Sequence, residues 1–384
     1  MHGLIDATAL GSGRGGDETM LRGVVRGLAL SAGGDDQFTV LTDPSGSAGA
    51  VDGLATTTDP TLRLAPMARR PGALHFGAQL PWYLARHRAE VDVAFTVTHA
   101  PVRAPVPVAL MVQDLSFLHL PDVYPARTRR RLRALVGHQA RRAAAVLTVS
   151  EFCRHDLIDQ YQLEPSRVHV VPNTVDAPTP LAPERRSQIL DQLASQQVDG
   201  PFLLYLGNLH PRKNVARAIR AFADVGRRDP ALAGYRFVVA GARWWGSGEE
   251  AAATQAEPGS VVFLGRVDDD TRQVLLEQAE ALVYVSRFEG FGLPPLEAMA
   301  AATPVLAARA AAIPEVTGGA ALLVDPDDDR AVADGIRRIV SDTGLRAELV
   351  ERGRARVAHY DLASTGAAAL AALRAAADTA RVAR

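Results

Sequence analysis

Cysteine is all but missing. Cys153 is the sole one in the 384-residue chain, so no intrachain disulfide can form and a reducing compartment is expected. Its neighbours His155 and Asp156 supply neither the ligand set of a structural zinc site nor a defined nucleophile geometry. Net charge is also nearly absent, at -1, which gives no support to nucleic-acid binding. No apolar run reaches membrane-spanning length. No charged, apolar and small-residue leader precedes Leu4-Ile5, so the expected location is cytoplasmic. What is present is 47% hydrophobic and 22% charged residues, the balance of a globular protein. The length exceeds what one core usually supports, and two domains are expected.

Strand and helix patterns alternate along most of the chain, which predicts an α/β fold of parallel sheets covered by helices. In the first half, strands are expected near 2–6, 38–42, 92–97, 106–112 and 145–149. The segment from Val168 to Asp176 is followed by a proline-rich stretch, Pro178 to Pro183, with the signature of a linker. The strand and helix rhythm then resumes from Phe202 to about His359.

The most informative stretch runs from Ser286 to Ala300. It follows the short apolar run Ala281–Val285, which suits a buried parallel strand. Glu289 and Glu297, with seven residues between them, flank a turn in which Gly290 and Gly292 permit close backbone approach to a ligand. Helix-start amides favour anions or hydroxyl oxygens, and Pro294 and Pro295 fit a first turn. Both carboxylates can accept hydrogen bonds from vicinal hydroxyls. Taken singly, Glu289 reads as a cap and Glu297 as a solvated face residue; taken with Gly-Phe-Gly between them, they read as a sugar site. A second strand, Phe202–Gly207, leads into Asn208-Leu209-His210-Pro211-Arg212-Lys213-Asn214. A guanidinium beside an ammonium at a helix start can stabilise the charge on a departing diphosphate without a metal.

With these two segments the chain resembles glycosyltransferase family 4, retaining nucleotide-sugar transferases of the GT-B fold, over nearly its whole length. The resemblance implies two Rossmann-like doubly wound domains facing a central cleft: residues 1–176 on the acceptor side and 177–360 binding the nucleotide sugar. A last helix, about 361–384, is implied to cross back to the first domain. It further implies that Glu289 meets hydroxyls of the transferred sugar and that amides of Gly290, Phe291, Gly292 and Leu293 meet sugar and phosphate oxygens. Glu297 would take the ribose, Arg212 and Lys213 the diphosphate, and backbone near Arg266 and Val267 the base.

Two positions depart from the family. Asn208 stands where many members carry a phosphate-binding arginine, and Gln113 where they usually carry a histidine that touches the donor sugar. Gln113 can hydrogen-bond but cannot carry the charge of an imidazolium. Asp114 is the nearest carboxylate to it, and His99 is a candidate acceptor contact. Near the amino terminus, Gly11 to Gly16 matches G-x-G-x-x-G, but four residues separate it from the strand. A loop facing the donor phosphates through Gly15 and Gly16 fits better, with Asp17 and Glu18 at the helix start facing acceptor or solvent.

The acidic runs Asp268-Asp269-Asp270 and Asp325-Pro326-Asp327-Asp328-Asp329 are expected to be cap and first-turn acids, not metal ligands. No metal or other cofactor is expected. The arginine-dense helix from Arg127 to Arg142 is either a solvated face or a contact to anionic lipid. The reading that follows is a hexosyltransferase using GDP-mannose or a UDP-sugar on a glycan, glycolipid or small-molecule hydroxyl. A catalytically silent nucleotide-sugar binder and an NAD-dependent oxidoreductase stand as alternatives.

Overall fold

A computed structural model describes residues 1–11, 15–45, 61–242 and 259–382. The chain forms two compact units, Met1–Thr174 with Tyr360–Arg384, and Val175–His359.

The first unit is built on a seven-stranded parallel sheet. Its strands are β1 (His2–Asp6), β2 (Gln37–Thr42), β3 (Leu62–Pro66), β4 (Val93–Val97), β5 (Val108–Met111), β6 (Ala145–Thr148) and β7 (Val168–Val170), in the order β3-β2-β1-β4-β5-β6-β7. β1, β4, β5 and β6 are almost wholly buried, as expected where helices cover both faces. Strand order reverses between β1 and β4, so the loops leaving their carboxyl ends splay to opposite sides and leave a crevice there. β3 is an edge strand that the hydrophobic pattern does not announce. Three of its five residues are exposed, and its sequence, Leu-Arg-Leu-Ala-Pro, is that of a half-wet edge ending in the one residue that cannot continue a ladder.

The carboxy-terminal helix, Leu362–Val382, packs on the first helix, Gly15–Ser31. The two backbones cross so closely that a Cβ on Gly366 would lie 2.0 Å from the Gly27 carbonyl oxygen. Only glycine at both positions permits this crossing. Arg374 on the same helix reaches Asp36 at 2.8 Å, and Thr365 Oγ1 donates to the Pro172 carbonyl at 3.0 Å.

The second unit carries a six-stranded parallel sheet: β8 (Phe202–Leu206), β9 (Arg236–Ala240), β10 (Val261–Gly265), β11 (Ala281–Tyr284), β12 (Val305–Ala308) and β13 (Leu322–Val324). Its order is β10-β9-β8-β11-β12-β13. Here the reversal falls between β8 and β11, so the loop after β8 and the loop after β11 lie side by side at the carboxyl ends. The two informative segments of the sequence are those two loops.

Candidate functional site

The loop after β8 is stitched onto the loop after β11 by backbone. The Arg287 amide donates to the Arg212 carbonyl at 2.8 Å, and Asn214 Nδ2 donates to the carbonyls of Val285 at 3.2 Å and Pro326 at 2.7 Å. Asn214 itself takes a left-handed conformation at φ 61°, which asparagine tolerates better than most residues. It closes the short 3-10 turn Pro211–Lys213, and the His210 ring Nδ1 accepts from the Arg212 amide at 3.2 Å. The turn thereby aims two consecutive cations at one acid.

That acid is Glu289. Arg212 Nη1 donates to Glu289 Oε2 at 2.6 Å and to the Phe288 carbonyl at 2.7 Å. Lys213 Nζ donates to Glu289 Oε1 at 2.6 Å and to the Tyr284 hydroxyl at 2.7 Å. The Tyr284 hydroxyl in turn donates to Glu289 Oε1 at 3.0 Å. Tyr284 is fully buried at the end of β11 and stacks on Tyr205 of β8, ring centres 6.3 Å apart and planes 11° from parallel. Glu289 is only 5% exposed. Burial alone would raise its pKa, but the charges of Arg212 and Lys213 outweigh that and hold it at about 2. The Tyr284 phenol is pushed well above its usual range by burial and by the Glu289 charge, so it stays a neutral donor. Two cations against one carboxylate leave this buried cluster with one positive charge, a preformed seat for an anion.

Glu297 lies elsewhere. Its helix, Leu293–Ala300, starts behind Gly292, whose φ of 119° strains any residue that carries a side chain. Glu297 Oε1 accepts from Arg272 Nη1 at 3.0 Å. Burial raises its pKa, only partly offset by Arg272. The two glutamates thus belong to two hydrogen-bonded clusters, each with its own cationic partner. Gly290, Phe291 and Leu293 line the connection between them, and all but Leu293 are buried. Arg266 and Val267 follow β10 at the far edge of the same sheet, Arg266 exposed. The Asn208 carbonyl accepts from the Tyr205 hydroxyl at 3.1 Å.

The acidic runs are engaged locally. Asp268 caps the helix Asp269–Gln278 through the Thr271 amide at 2.8 Å, and Arg185 bridges Asp268 and Asp270 at 2.9 and 2.8 Å. Asp328 accepts from the Arg330 and Ala331 amides at the start of Asp329–Ser341. Among the described residues no group of three or more His, Cys, Asp and Glu could hold a metal ion.

In the first unit, Gln113 Nε2 donates to Asp17 Oδ1 at 2.7 Å, joining the loop after β5 to the first turn of Gly15–Ser31. Gly15 and Gly16 open that helix, and Glu18 follows in its first turn. Ser12–Arg14 of the glycine-rich loop lie outside the described residues. Asp114 is committed to the Ser116 amide at 2.9 Å. His99 packs edge-on against Phe76, ring centres 5.6 Å apart. Cys153 is buried and its thiol pushed up to about 12 by desolvation, the state of an inert core residue.

Four residues escape a reading of the chain: Tyr284, Arg272 and a buried pair in the first unit, Asp6 with His75. A tyrosine inside an otherwise aliphatic buried strand is a usable signal, because its hydroxyl must find a partner there. Asp6 Oδ2 meets His75 Nε2 at 2.7 Å, and Gln79 Oε1 faces the other ring nitrogen at 3.1 Å. Burial lowers the His75 pKa, but the Asp6 hydrogen bond and charge more than reverse it. Nothing local predicts a contact across that much sequence.

Two family models match, one to each half of the chain: "Glycosyltransferase Family 4" over residues 14–177 and "Glycosyl transferases group 1" over 190–356. The chain belongs to glycosyltransferase family 4. Its relatives include O-antigen chain mannosyltransferase B of Escherichia coli, 28% identical over 64% of this chain and 65% of that protein. Another is the D-inositol 3-phosphate glycosyltransferase of Salinispora arenicola (strain CNS-205), 35% identical over 53% of this chain and 49% of that one. The chain thus spans from about half to just under two thirds of the length of these curated relatives. Among solved structures, Anabaena HepE in complex with UDP-glucose aligns with a TM-score of 0.73 at 18% identity, covering 97% of this chain and 99% of that one. WaaG, a glycosyltransferase of lipopolysaccharide biosynthesis, aligns with 0.68 at 18%, covering 97% and 98%. Family members of this architecture share the GT-B fold, and the two parallel α/β units are those of that fold.

Proposed function

We propose that the protein is a metal-independent, retaining glycosyltransferase that moves a hexose from a nucleoside diphosphate sugar to a hydroxyl of a glycan, glycolipid or small molecule. The observation that carries this reading is the convergence of Arg212 and Lys213 on buried, ionised Glu289 at the point where strand order reverses. The surplus positive charge suits a diphosphate, and the carboxylate suits sugar hydroxyls. The names of the relatives support a GDP-mannose or UDP-sugar type of donor: two of those above are a mannosyltransferase and a protein crystallised with UDP-glucose.

In the reaction, the bond between the sugar carbon and the diphosphate oxygen breaks, and its electron pair leaves with the nucleotide. Arg212 and Lys213 stabilise that charge while Glu289 holds the sugar. The acceptor hydroxyl forms the new bond on the face the phosphate leaves and passes its proton to a phosphate oxygen, so no separate base is needed. Glu297 takes the ribose, the backbone at Arg266 and Val267 the base and Gln113 a hydroxyl of the donor sugar, and His99, Asp17 and Glu18 are assigned to the acceptor side. We assign the protein to the cytoplasm; among the described residues no helix is long and apolar enough to cross a membrane.

Calorimetry with UDP and GDP, followed by transfer assays in EDTA, tests the proposal. Lys213→Ala should weaken nucleoside diphosphate binding, and Glu289→Ala should abolish transfer. Donor binding without hydrolysis or transfer in any acceptor mixture would leave a silent binder instead, and unaltered binding in Lys213→Ala would reject the assignment of the cluster.

A further inference from the structure

Asp6 and His75 form a buried pair that the reaction above does not use. Asp6 ends β1 where the strand order of the first sheet reverses, and the two residues are 6% and 4% exposed. An acid so placed is costly unless its oxygens are engaged. Its Oδ1 accepts from the Thr8 amide at 3.2 Å and from the Thr8 hydroxyl at 2.8 Å, while Oδ2 meets His75 Nε2 at 2.7 Å. Asp6 therefore sets the turn by which the chain leaves β1. The proton state of His75 follows from its partners. Its Nδ1 faces Gln79 Oε1 at 3.1 Å, and the Gln79 carboxamide is oriented by Nε2, which donates to the Ala68 carbonyl at 3.0 Å. Both ring nitrogens thus face oxygens that accept. A neutral imidazole would set a lone pair against one of them, so the ring carries both protons.

His75 opens a π-turn, His75–Gln79, a form found often at functional sites. This turn reaches three loops at the carboxyl ends of the sheet. Through Asp6 it holds the loop after β1, and through Gln79 the loop after β3. The Phe76 carbonyl accepts from the Val102 amide at 2.9 Å, which ties in the loop after β4. The Phe76 ring stands edge-on to His75 at 4.7 Å and to His99, on that same loop, at 5.6 Å. Among the described residues the charge that acts on the His75 ring is that of Asp6, from β1; its own turn contributes the neutral Gln79. The loops after β1 and β4 flank the crevice of the first unit, so one buried ring is bonded to both of its walls.

We propose that His75, as an imidazolium, is a positioning residue: its two N–H bonds fix the loops around the crevice of the first unit, and loss of one proton loosens them. That this crevice takes the acceptor rests on the function proposed above; the positioning does not, and its test uses no substrate. A group whose folded pKa is raised gives stability that is complete below its ordinary value of 6.5 and is lost as pH rises through the folded value. Nitrogen-15 spectra of the histidine-labelled full chain read the proton state, with His75 assigned by its absence from His75→Gln. Both of its nitrogens should be protonated together, with a midpoint above 6.5. Gln79→Met, at a half-buried position, removes one acceptor and should move that midpoint down. Hydrogen exchange reads the loops. Corrected for the intrinsic rate, the amides of Thr8, Leu10 and Val102 should exchange about tenfold faster or more once pH has passed the His75 midpoint. The amides of Gly207 and Arg287, hydrogen-bonded in the second unit, should show no step there. If His75→Gln does not fold, the wild type and Gln79→Met still decide. A midpoint at or below 6.5, loop exchange without a step at the midpoint, or the same step in the second unit would each overturn the proposal.

Discussion

Lys213 and Glu289 meet at 2.6 Å inside the second unit, and Arg212 holds the opposite carboxylate oxygen at the same distance. Neither cation can be considered apart from the acid. In Glu289→Gln the carboxamide nitrogen faces one of the two cations, donor against donor, and two buried positive charges lose their counter-ion. Breaking a buried pair in this way costs about 3–5 kcal/mol. Transfer should fall on the order of a hundredfold or more, whereas nucleoside diphosphate affinity should hold or tighten because the cluster gains a net charge. Calorimetry on the variant reads this directly, and a collapse of affinity parallel to activity would contradict it.

The same carboxylate makes folding acid-sensitive. Burial raises the Glu289 pKa and the two cations more than reverse it, to about 2 in place of an ordinary 4.5. A depressed carboxyl pKa adds stability that is complete above the unfolded-state value and is lost as pH falls through the folded value. The window is therefore pH 4.5 down to about 2, and the contribution is on the order of 3 kcal/mol. Urea unfolding of wild type and Glu289→Gln across that window should give stabilities that converge as pH drops; a constant separation would show that the Glu289 pKa is not depressed in the folded state.

Tyr284 ties the pair together by accepting from Lys213 and donating to Glu289. Tyr284→Phe keeps the stacking on Tyr205 and removes only the hydroxyl, leaving a buried donor and acceptor each short of one partner, at about 1–3 kcal/mol. Since Lys213 then has one restraint fewer, kcat should fall about tenfold, a loss of roughly 1.4 kcal/mol in transition-state stabilisation. The donor KM should move little. A change in KM alone would place Tyr284 in ground-state binding.

The sheets were legible because buried parallel strands such as Phe202–Leu206 or Ala281–Tyr284 are short apolar runs with little else to be. β3 was not, since an exposed edge containing Arg63 and ending at Pro66 carries no such run. Helix caps were legible for the same local reason: Asp268 and Asp328 each act within three residues. Contacts made by topology were not. The adjacency of the Arg212-Lys213 turn and Glu289 follows only once β8 and β11 are neighbours, and the Asp6–His75 pair joins the end of β1 to a segment beyond β3. Sequence supplies the chemical groups, while the crossover order decides which of them meet.

Gln113 stands where the family resemblance leads one to expect a histidine. Its amide nitrogen donates to Asp17 at 2.7 Å, a bond that an imidazole N–H at the same place can replace. In Gln113→His the Asp17 carboxylate would favour the charged ring and raise its pKa above the ordinary value of about 6.5. If a positive charge at this position assists departure of the nucleotide, kcat of the variant should exceed wild type several-fold at about pH 6. The advantage should vanish as pH rises through the pKa of the new imidazole and the ring becomes neutral. Gln113→Ala, which leaves Asp17 without this donor, should be slower than wild type at every pH. The decisive quantity is the ratio of kcat values, Gln113→His over wild type, across the pH range. A flat ratio would mean that the residue acts only as a hydrogen-bond donor, and that the glutamine costs the proposed reaction nothing.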